Sequence, residues 1–417
     1  MPFSAAIDRV APWATDQLLA AMGRPPLRAI LWDGRGVGPP RSEVVGAVRF
    51  HDRGAWLQLL ADPELQFGEL FSAGRISVEG DLPAVVEQGL RGGLDQQGVL
   101  QRFLPRGLLA RAIRTDPDTS RRNAQHHYDV GNEFYALWLD ERLVYTCAYF
   151  PEPGAGLEEA QVAKMDHVCR KLALRPGQRV LEAGCGWGAL ALHMARYYGV
   201  TVRAYNVARE QVLHAREQAE KQDLQDRVEF IEDDYRSARE PCDAFVSVGM
   251  LEHVGPDHYE DLGEVIARCL EPEGLGLVHS IGRSRPDRLN RWVATRVFPN
   301  AHPPTLREMA DIFEPHGFAV LDVENLRRHY ELTARHWLAR YERHYPRIEA
   351  LVGPVRARAW RLYLAGTAAS FSAATIDLFQ VVFSRVRNDA IPWTRAHVYS
   401  GEPARFVRDA EVKRGDL

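Results

Sequence analysis

The chain has 417 residues, 46% of them hydrophobic and 26% charged, and a formal net charge of −4. That length predicts two to three domains of ordinary globular composition, and the charge gives no global case for nucleic acid. No apolar run approaches the roughly 20 residues that cross a bilayer, and the N-terminus lacks a signal peptide's charged-then-apolar order, so a cytoplasmic protein touching membrane at most peripherally is expected.

Residues 1–97 read as a first, smaller α+β unit. A helix around residues 18–22 precedes a strand over 27–32 and a turn at Asp33-Gly34-Arg35-Gly36. A strand at 48–50, a helix at 56–60, the turn Asp62-Pro63 and a helix over 67–71 packed on short strands at 74–81 complete it. No catalytic constellation stands out, and composition does not choose between a structural and a lipid-handling module. Residues 98–122 form a basic, mildly amphipathic linker, read either as a solvated connection or as a contact for anionic head groups.

From residue 123 to 390 strands alternate with helices, which predicts an α/β, doubly wound, Rossmann-like parallel sheet. Seven strands are expected, near residues 179–183, 200–205, 228–231, 244–248, 274–279, 318–323 and 376–383. Two or three helices inserted over about 333–374 are expected to form a lid over the sheet's C-terminal edge, where such folds bind ligands. Residues 391–417 read as a tail.

The first of these strands runs straight into Gly184-Cys185-Gly186-Trp187-Gly188 and a helix start. A strand, a tight glycine turn and a helix bring a ligand against backbone N–H groups. Dinucleotides ask for G-x-G-x-x-G and an acid closing the next strand. Here the spacing is G-x-G-x-G and the next strand ends at Asn206, so S-adenosylmethionine, which has no pyrophosphate, fits better. Asn206 and Gln211 follow the second strand. Asp234, after the third, is expected to accept from an adenine amino group, with Tyr235 stacking or shielding. Gly249, Tyr145 and Thr146 complete the expected cofactor-binding set.

Glu252 and His279 each follow an apolar strand and are expected to converge, desolvated and paired. The blander readings are a helix cap for Glu252 with His253 and a core histidine for His279. A second dense cluster is His126-His127-Tyr128-Asp129-Val130-Gly131-Asn132-Glu133-Phe134-Tyr135, with Tyr145-Thr146-Cys147-Ala148-Tyr149-Phe150. No adequate metal-ligand set follows at familiar spacing, so no metal is expected. A polar cavity within an aromatic pocket suits the cluster better than a Cys–His nucleophile. The five cysteines, Cys147, Cys169, Cys185, Cys242 and Cys269, are scattered, and free thiols are expected.

Tyr145-Thr146-Cys147-Ala148-Tyr149-Phe150, Gly184-Cys185-Gly186-Trp187-Gly188, Ser247-Val248-Gly249-Met250-Leu251-Glu252-His253-Val254-Gly255 and His279-Ser280-Ile281-Gly282 resemble the cyclopropane-fatty-acyl-phospholipid synthases. His127-Tyr128-Asp129-Val130-Gly131-Asn132 and Phe379-Gln380-Val381-Val382-Phe383-Ser384-Arg385 belong to the same pattern. Phe67-Gly68-Glu69 and Glu79-Gly80-Asp81-Leu82 resemble that family's N-terminal lipid-binding domain. The resemblance implies transfer of a methylene unit from S-adenosylmethionine to a cis double bond of a phospholipid acyl chain, with bound bicarbonate as the base. It places the anion's ligands at Cys147, Glu252, His279, the backbone of Ile281, and Tyr330. It also implies a peripheral contact with an unsaturated phospholipid bilayer, at the inner face of the membrane, and a homodimer.

Three departures stand out. Thr367 occupies a late-helix position where some relatives carry cysteine, which argues against a covalent cysteine there. Asn206-Val207-Ala208 replaces the usual Thr-hydrophobe-Ser. Arg283, Arg285, Arg288 and Arg291 read either as head-group contacts or as a solvated loop. Methyl or methylene branching of the chain by the same fold is the alternative activity, and a non-catalytic lipid carrier the alternative class.

Overall fold

The structure is a computed structural model describing residues 2–92, 131–152 and 154–399. The basic linker over 98–122, His126, His127, Tyr128, Asp129, Val130 and the tail beyond residue 399 lie outside the described residues. The chain divides into two units. One holds residues 1–113, 288–299 and 334–376; the other holds 114–287, 300–333 and 377–417.

The first unit is built on a four-stranded sheet of β1 (Leu27–Ile30), β2 (Gly36–Val37), β3 (Gly46–Phe50) and β4 (Ile76–Gly80). The strand order is β2-β1-β3-β4, with β1 and β3 parallel and the other pairs antiparallel. Aspartates start the two helices between β3 and β4. Asp52 accepts from the Ala55 N–H at 2.8 Å, opening Arg53–Ala61, and Asp62 accepts from Leu65 at 3.4 Å, opening Pro63–Ser72.

Two later stretches join this unit. Trp292 of the helix Arg291–Arg296 lies against Gly68, where an added Cβ would come within 2.3 Å of the indole. Glycine at 68 is a packing requirement. The helix Pro354–Ser372 buries Ala357, Trp360, Leu364, Ala368 and Phe371, a stripe at helical spacing. Arg358 donates to the Ser72 carbonyl at 2.8 Å, and Arg91 to that of Ser372 at 3.2 Å. Three helices do fill the predicted insertion, Arg327–Arg343, Tyr345–Val352 and Pro354–Ser372. From Ala334 onward, however, they group with the N-terminal residues. The apolar stripe and its arginine contacts therefore lie within the first unit, although the stretch falls inside the expected 123–390 domain.

The second unit is a seven-stranded sheet of β5 (Arg179–Ala183), β6 (Thr201–Asn206), β7 (Val228–Glu232), β8 (Cys242–Val248), β9 (Leu270–Gly282), β10 (Phe318–Asn325) and β11 (Asp377–Arg385). Its order is β10-β11-β9-β8-β5-β6-β7. Strands β7 through β9 run parallel across the sheet, as expected, but β11 is antiparallel to both β9 and β10. The cause is where the chain re-enters. Asp377 opens β11 opposite Gly282, the last residue of β9, so the strand must run back from the edge at which β9 ends.

Residues alternate between the sheet's two faces. Val180, Val202, Val246 and Leu277 pack in one cluster, with Met165, Val168 and Leu192 from the helices Leu157–Lys171 and Ala189–Tyr198. Leu181, Phe245, Val278 and Phe383 pack in the other, with Leu262, Ile266, Met309 and Ile312 from Tyr259–Cys269 and Leu306–Phe313. Strand order reverses at β5 and β8, so the loops leaving these two strands diverge and open a crevice at their carboxyl ends.

Candidate active site

The turn after β5 holds three glycines with positive φ, +84° at Gly184, +54° at Gly186 and +88° at Gly188. They do different things. A Cβ on Gly188 would come within 2.7 Å of Phe230 and 2.8 Å of Ala215, and one on Gly184 within 2.9 Å of Met250 in the loop after β8. A Cβ on Gly186 would meet nothing within 4 Å. The outer two glycines let the turn pack, and the middle one faces open space.

Other predicted residues gather around that turn. Asn206 at the end of β6 donates to the Gly186 carbonyl at 3.1 Å and to Gln211 at 2.8 Å. Cys185 is buried in the core beneath, and the Trp187 indole donates to Asn132 at 2.8 Å. Asp234 is spent locally. Its oxygens accept from the Arg236 N–H at 2.9 Å and pair with the Arg236 guanidinium at 3.0 Å, starting the 3-10 turn Tyr235–Ser237. The Tyr235 ring is buried in the second core cluster, its hydroxyl without a partner.

Tyr145, Thr146 and Cys147 approach from a separate segment. Tyr145 lies 5.7 Å from Tyr135 and 5.2 Å from Trp138 between ring centroids, and Tyr135 lies 5.1 Å from Trp187. These rings pack as an aromatic cluster, with Tyr135 and Trp138 fully buried. Thr146 accepts from Lys164 at 2.9 Å, and its methyl would lie 2.8 Å from a Cβ on Gly249. The Cys147 thiol donates to the Ala148 carbonyl at 3.1 Å, and burial pushes its pKa up, so it is a neutral thiol and no nucleophile. Beside it, Thr333 accepts from the Ala148 N–H at 3.0 Å, and His329 accepts from that of Phe150 at 3.0 Å. These bonds fasten the first turns of Arg327–Arg343, the turns that carry the buried Tyr330.

The loop after β8 is stitched to the last residues of β9. Gly249 donates to the His279 carbonyl at 2.8 Å, and the Ile281 N–H donates to Glu252 Oε1 at 2.7 Å. The Ile281 N–H, expected to face an anion, instead holds the carboxylate. Glu252 and His279 are both buried but bind different partners, since His279 Nδ1 faces Gln380 Nε2 at 3.0 Å. Each keeps one buried atom without a partner among the described residues, Glu252 Oε2 and His279 Nε2. Burial raises the Glu252 carboxyl to about 7, against the lowering pull of backbone N–H groups and Ser280. Burial, with Lys164, Lys171 and His167 nearby, holds the His279 imidazole well below its ordinary value.

Sequence reasoning missed a polar layer on this face. Lys164 and Glu182 are both buried; burial lowers the lysine to about 8 and raises the glutamate to about 8. A charged residue inside apolar β5 was the available signal for Glu182. Glu324 on β10 binds His167 at 2.7 Å and Lys171 at 2.6 Å; although burial raises it, these bonds win and bring it to about 2. Of the arginines read either as head-group contacts or as a solvated loop, three form ion pairs. Arg288 meets Glu64 at 2.7 Å, Arg291 meets Asp62 at 2.8 Å, and Arg283 meets Asp287 at 3.5 Å. Among the described residues no cluster of three His, Cys, Asp or Glu side chains is placed to hold a metal ion.

Residues 115–381 match the family model described as mycolic acid cyclopropane synthetase. The chain belongs to this family. Over 396 residues it is 34% identical to a probable fatty acid methyltransferase of Pseudomonas putida, covering 90% of this chain and 96% of that one. It is 40% identical over 262 residues to the cyclopropane-fatty-acyl-phospholipid synthase of Escherichia coli K12, covering 63% and 67%. Among solved structures it is similar to the cyclopropane synthase MmaA2 of Mycobacterium tuberculosis, with a TM-score of 0.61, 29% identity and coverage of 64% of this chain and 98% of that one. It is likewise similar to the mycolic acid cyclopropane synthase CmaA1 complexed with SAH and CTAB, with a TM-score of 0.61, 28% identity and the same coverage. As a member of the cyclopropane synthase family with this sheet, the chain is an S-adenosylmethionine-dependent methyltransferase.

Proposed function

We propose that the chain cyclopropanates cis double bonds of phospholipid acyl chains, with Cys147, Glu252, His279, Ile281 and Tyr330 at the reacting end and the Gly184 to Gly188 turn holding the donor. The alkene's π electrons form the bond to the donor's methyl carbon while the C–S pair leaves with sulfur. A proton is then lost from that methyl, and its C–H pair closes the ring. The observation that carries the reading is the pair of buried atoms without partners among the described residues, Glu252 Oε2 in the turn after β8 and His279 Nε2 on the adjacent strand β9.

The same atoms fit a small anion. A carboxylate alone would repel one, but a carboxyl raised to about 7 is substantially protonated at neutral pH and can donate. Bicarbonate held by Glu252, His279 and Tyr330 would supply the base for the methyl proton. Ile281 orients Glu252 through its N–H, and the neutral Cys147 lines the site. The rings of Tyr135, Trp138 and Tyr145 exclude water and offer π faces to a developing carbocation. The substrate reading extends to a peripheral enzyme at the inner face of the membrane, homodimeric, with the N-terminal unit binding lipid. In support, no helix of the described residues is long and apolar enough to cross a membrane.

The test is incubation with unsaturated phospholipid vesicles and S-adenosylmethionine, followed by proton NMR of the released acyl chains. High-field ring methylene signals are expected. Branch methyl or exocyclic methylene signals would replace the ring assignment, and no transfer to the lipid would overturn the function.

A further inference from the structure

His279 makes its side-chain hydrogen bond to Gln380, and the chemistry of that partner decides where the imidazole carries its proton. Gln380 lies on β11 directly opposite His279 on β9, and both are buried. An amide nitrogen donates and does not accept. With the amide turned so that Gln380 Nε2 lies 3.0 Å from Nδ1 and its Oε1 is left without a partner among the described residues, the ring accepts there. A neutral imidazole has one N–H, which then sits on Nε2, the atom left without a partner among the described residues.

The surroundings keep this arrangement from being overridden. Glu324, opposite Gln380 on β10, would be the obvious acceptor to draw a second proton onto His279, but it is held by His167 and Lys171 from the helix Leu157–Lys171. The charged and titratable groups acting on His279 are therefore Lys164, Lys171 and His167 from that helix and Glu324 from β10; burial and the three cationic or titratable groups disfavour the imidazolium, against the smaller favouring pull of Glu324.

We propose that Gln380 is a positioning residue that locks His279 in the Nε2–H tautomer, so that the ring presents a hydrogen-bond donor to the reacting site. Without it Nδ1 can keep the proton, and Nε2 would turn a lone pair toward any anion placed there. The inference rests on the role assigned to His279 under the proposed function.

Nitrogen-15 NMR of the full chain, imidazole-labelled, tests it, with the His279 signals assigned by their loss in His279→Gln. The unsubstituted protein should show a protonated Nε2 and an unprotonated Nδ1. Gln380→Leu should mix the tautomers and lower kcat roughly 10- to 100-fold, the worth of one hydrogen bond to a charged group, with unchanged S-adenosylmethionine affinity by calorimetry. Gln380→Glu, which only accepts when ionised, should move the proton to Nδ1 and add an ionisation near neutrality to the pH profile of kcat. An Nδ1–H spectrum in the unsubstituted protein overturns the lock without needing any variant to fold. So does a Gln380→Leu enzyme that keeps both tautomer and kcat. Turnover of His279→Gln at the unsubstituted rate would instead overturn the role of His279, whatever the spectrum shows.

Discussion

The turn after β5 and the paired segments formed by the loop after β8 and the end of β9 sit at the same edge of one sheet but are made differently. The turn is main chain and glycine, satisfied by neighbours close in sequence or on the adjacent strand, and open only at Gly186. The paired segments are buried side chains whose partners lie far away, Gln380 for His279 and the Ile281 N–H for Glu252, with a polar atom left over on each. One arrangement shapes space for a ligand. The other holds polar groups ready for it, at the desolvation cost that burying them imposes. Binding and chemistry should therefore be separable by mutation.

The largest effect is expected at the open glycine. Gly186→Val places a branched side chain at φ +54° where the donor would lie, and should weaken S-adenosylmethionine binding at least ~100-fold by calorimetry, well beyond what backbone strain of about 1–3 kcal/mol does to folding. Next comes a pH effect from the other region. Because the folded carboxyl of Glu252 is raised from 4.5 to about 7, the native state holds a proton the unfolded chain has lost between those values. Stability should fall as pH rises through that window and level off above it, by up to ~3 kcal/mol at about 1.4 kcal/mol per pH unit. Urea unfolding across this range should show Glu252→Gln losing that component, while the slope due to Glu182, raised to about 8, persists.

Gly188→Ala sharpens the contrast within the turn. Its Cβ would press on Phe230 and Ala215, so it should lower unfolding free energy by roughly 2 kcal/mol through overpacking and a positive φ, most simply read as a drop in Tm. The smallest effect belongs to Cys147→Ser. A neutral thiol bonded to a carbonyl is not attacking anything, and kcat should stay within about fivefold, in line with the ~1 kcal/mol worth of such a hydrogen bond.

The same contrast explains what could be read from the residues. The glycine turn, Asn206 and Gln211 were legible because a strand, a turn and a helix leave local spacing. Glu252 and His279 were legible as polar residues ending apolar strands. Their partners were not, because Gln380 meets His279 only through the register of an antiparallel strand 101 positions away, and no local pattern carries register. Asp234 misled because an acid after a strand serves equally well to cap the next turn. The pairings of Arg288 and Arg291 were hidden for a related reason. Their partners Asp62 and Glu64 lie on the helix Pro63–Ser72 and its cap, more than 220 residues earlier in the chain. The three helices of 327–372 were legible because they interrupt the sheet's sequence, but their contacts with the N-terminal residues were not, since the partners lie hundreds of positions earlier.

The most direct measurement is turnover and donor affinity of Glu252→Gln in one preparation. Calorimetry with S-adenosylmethionine should give a Kd within about threefold of the unsubstituted protein, while ring formation on unsaturated vesicles, followed by proton NMR, should fall at least ~100-fold, the scale of a lost acid–base group. Ring formation at the unsubstituted rate would contradict the account, because the buried carboxyl in the turn after β8 would then take no part in the chemistry.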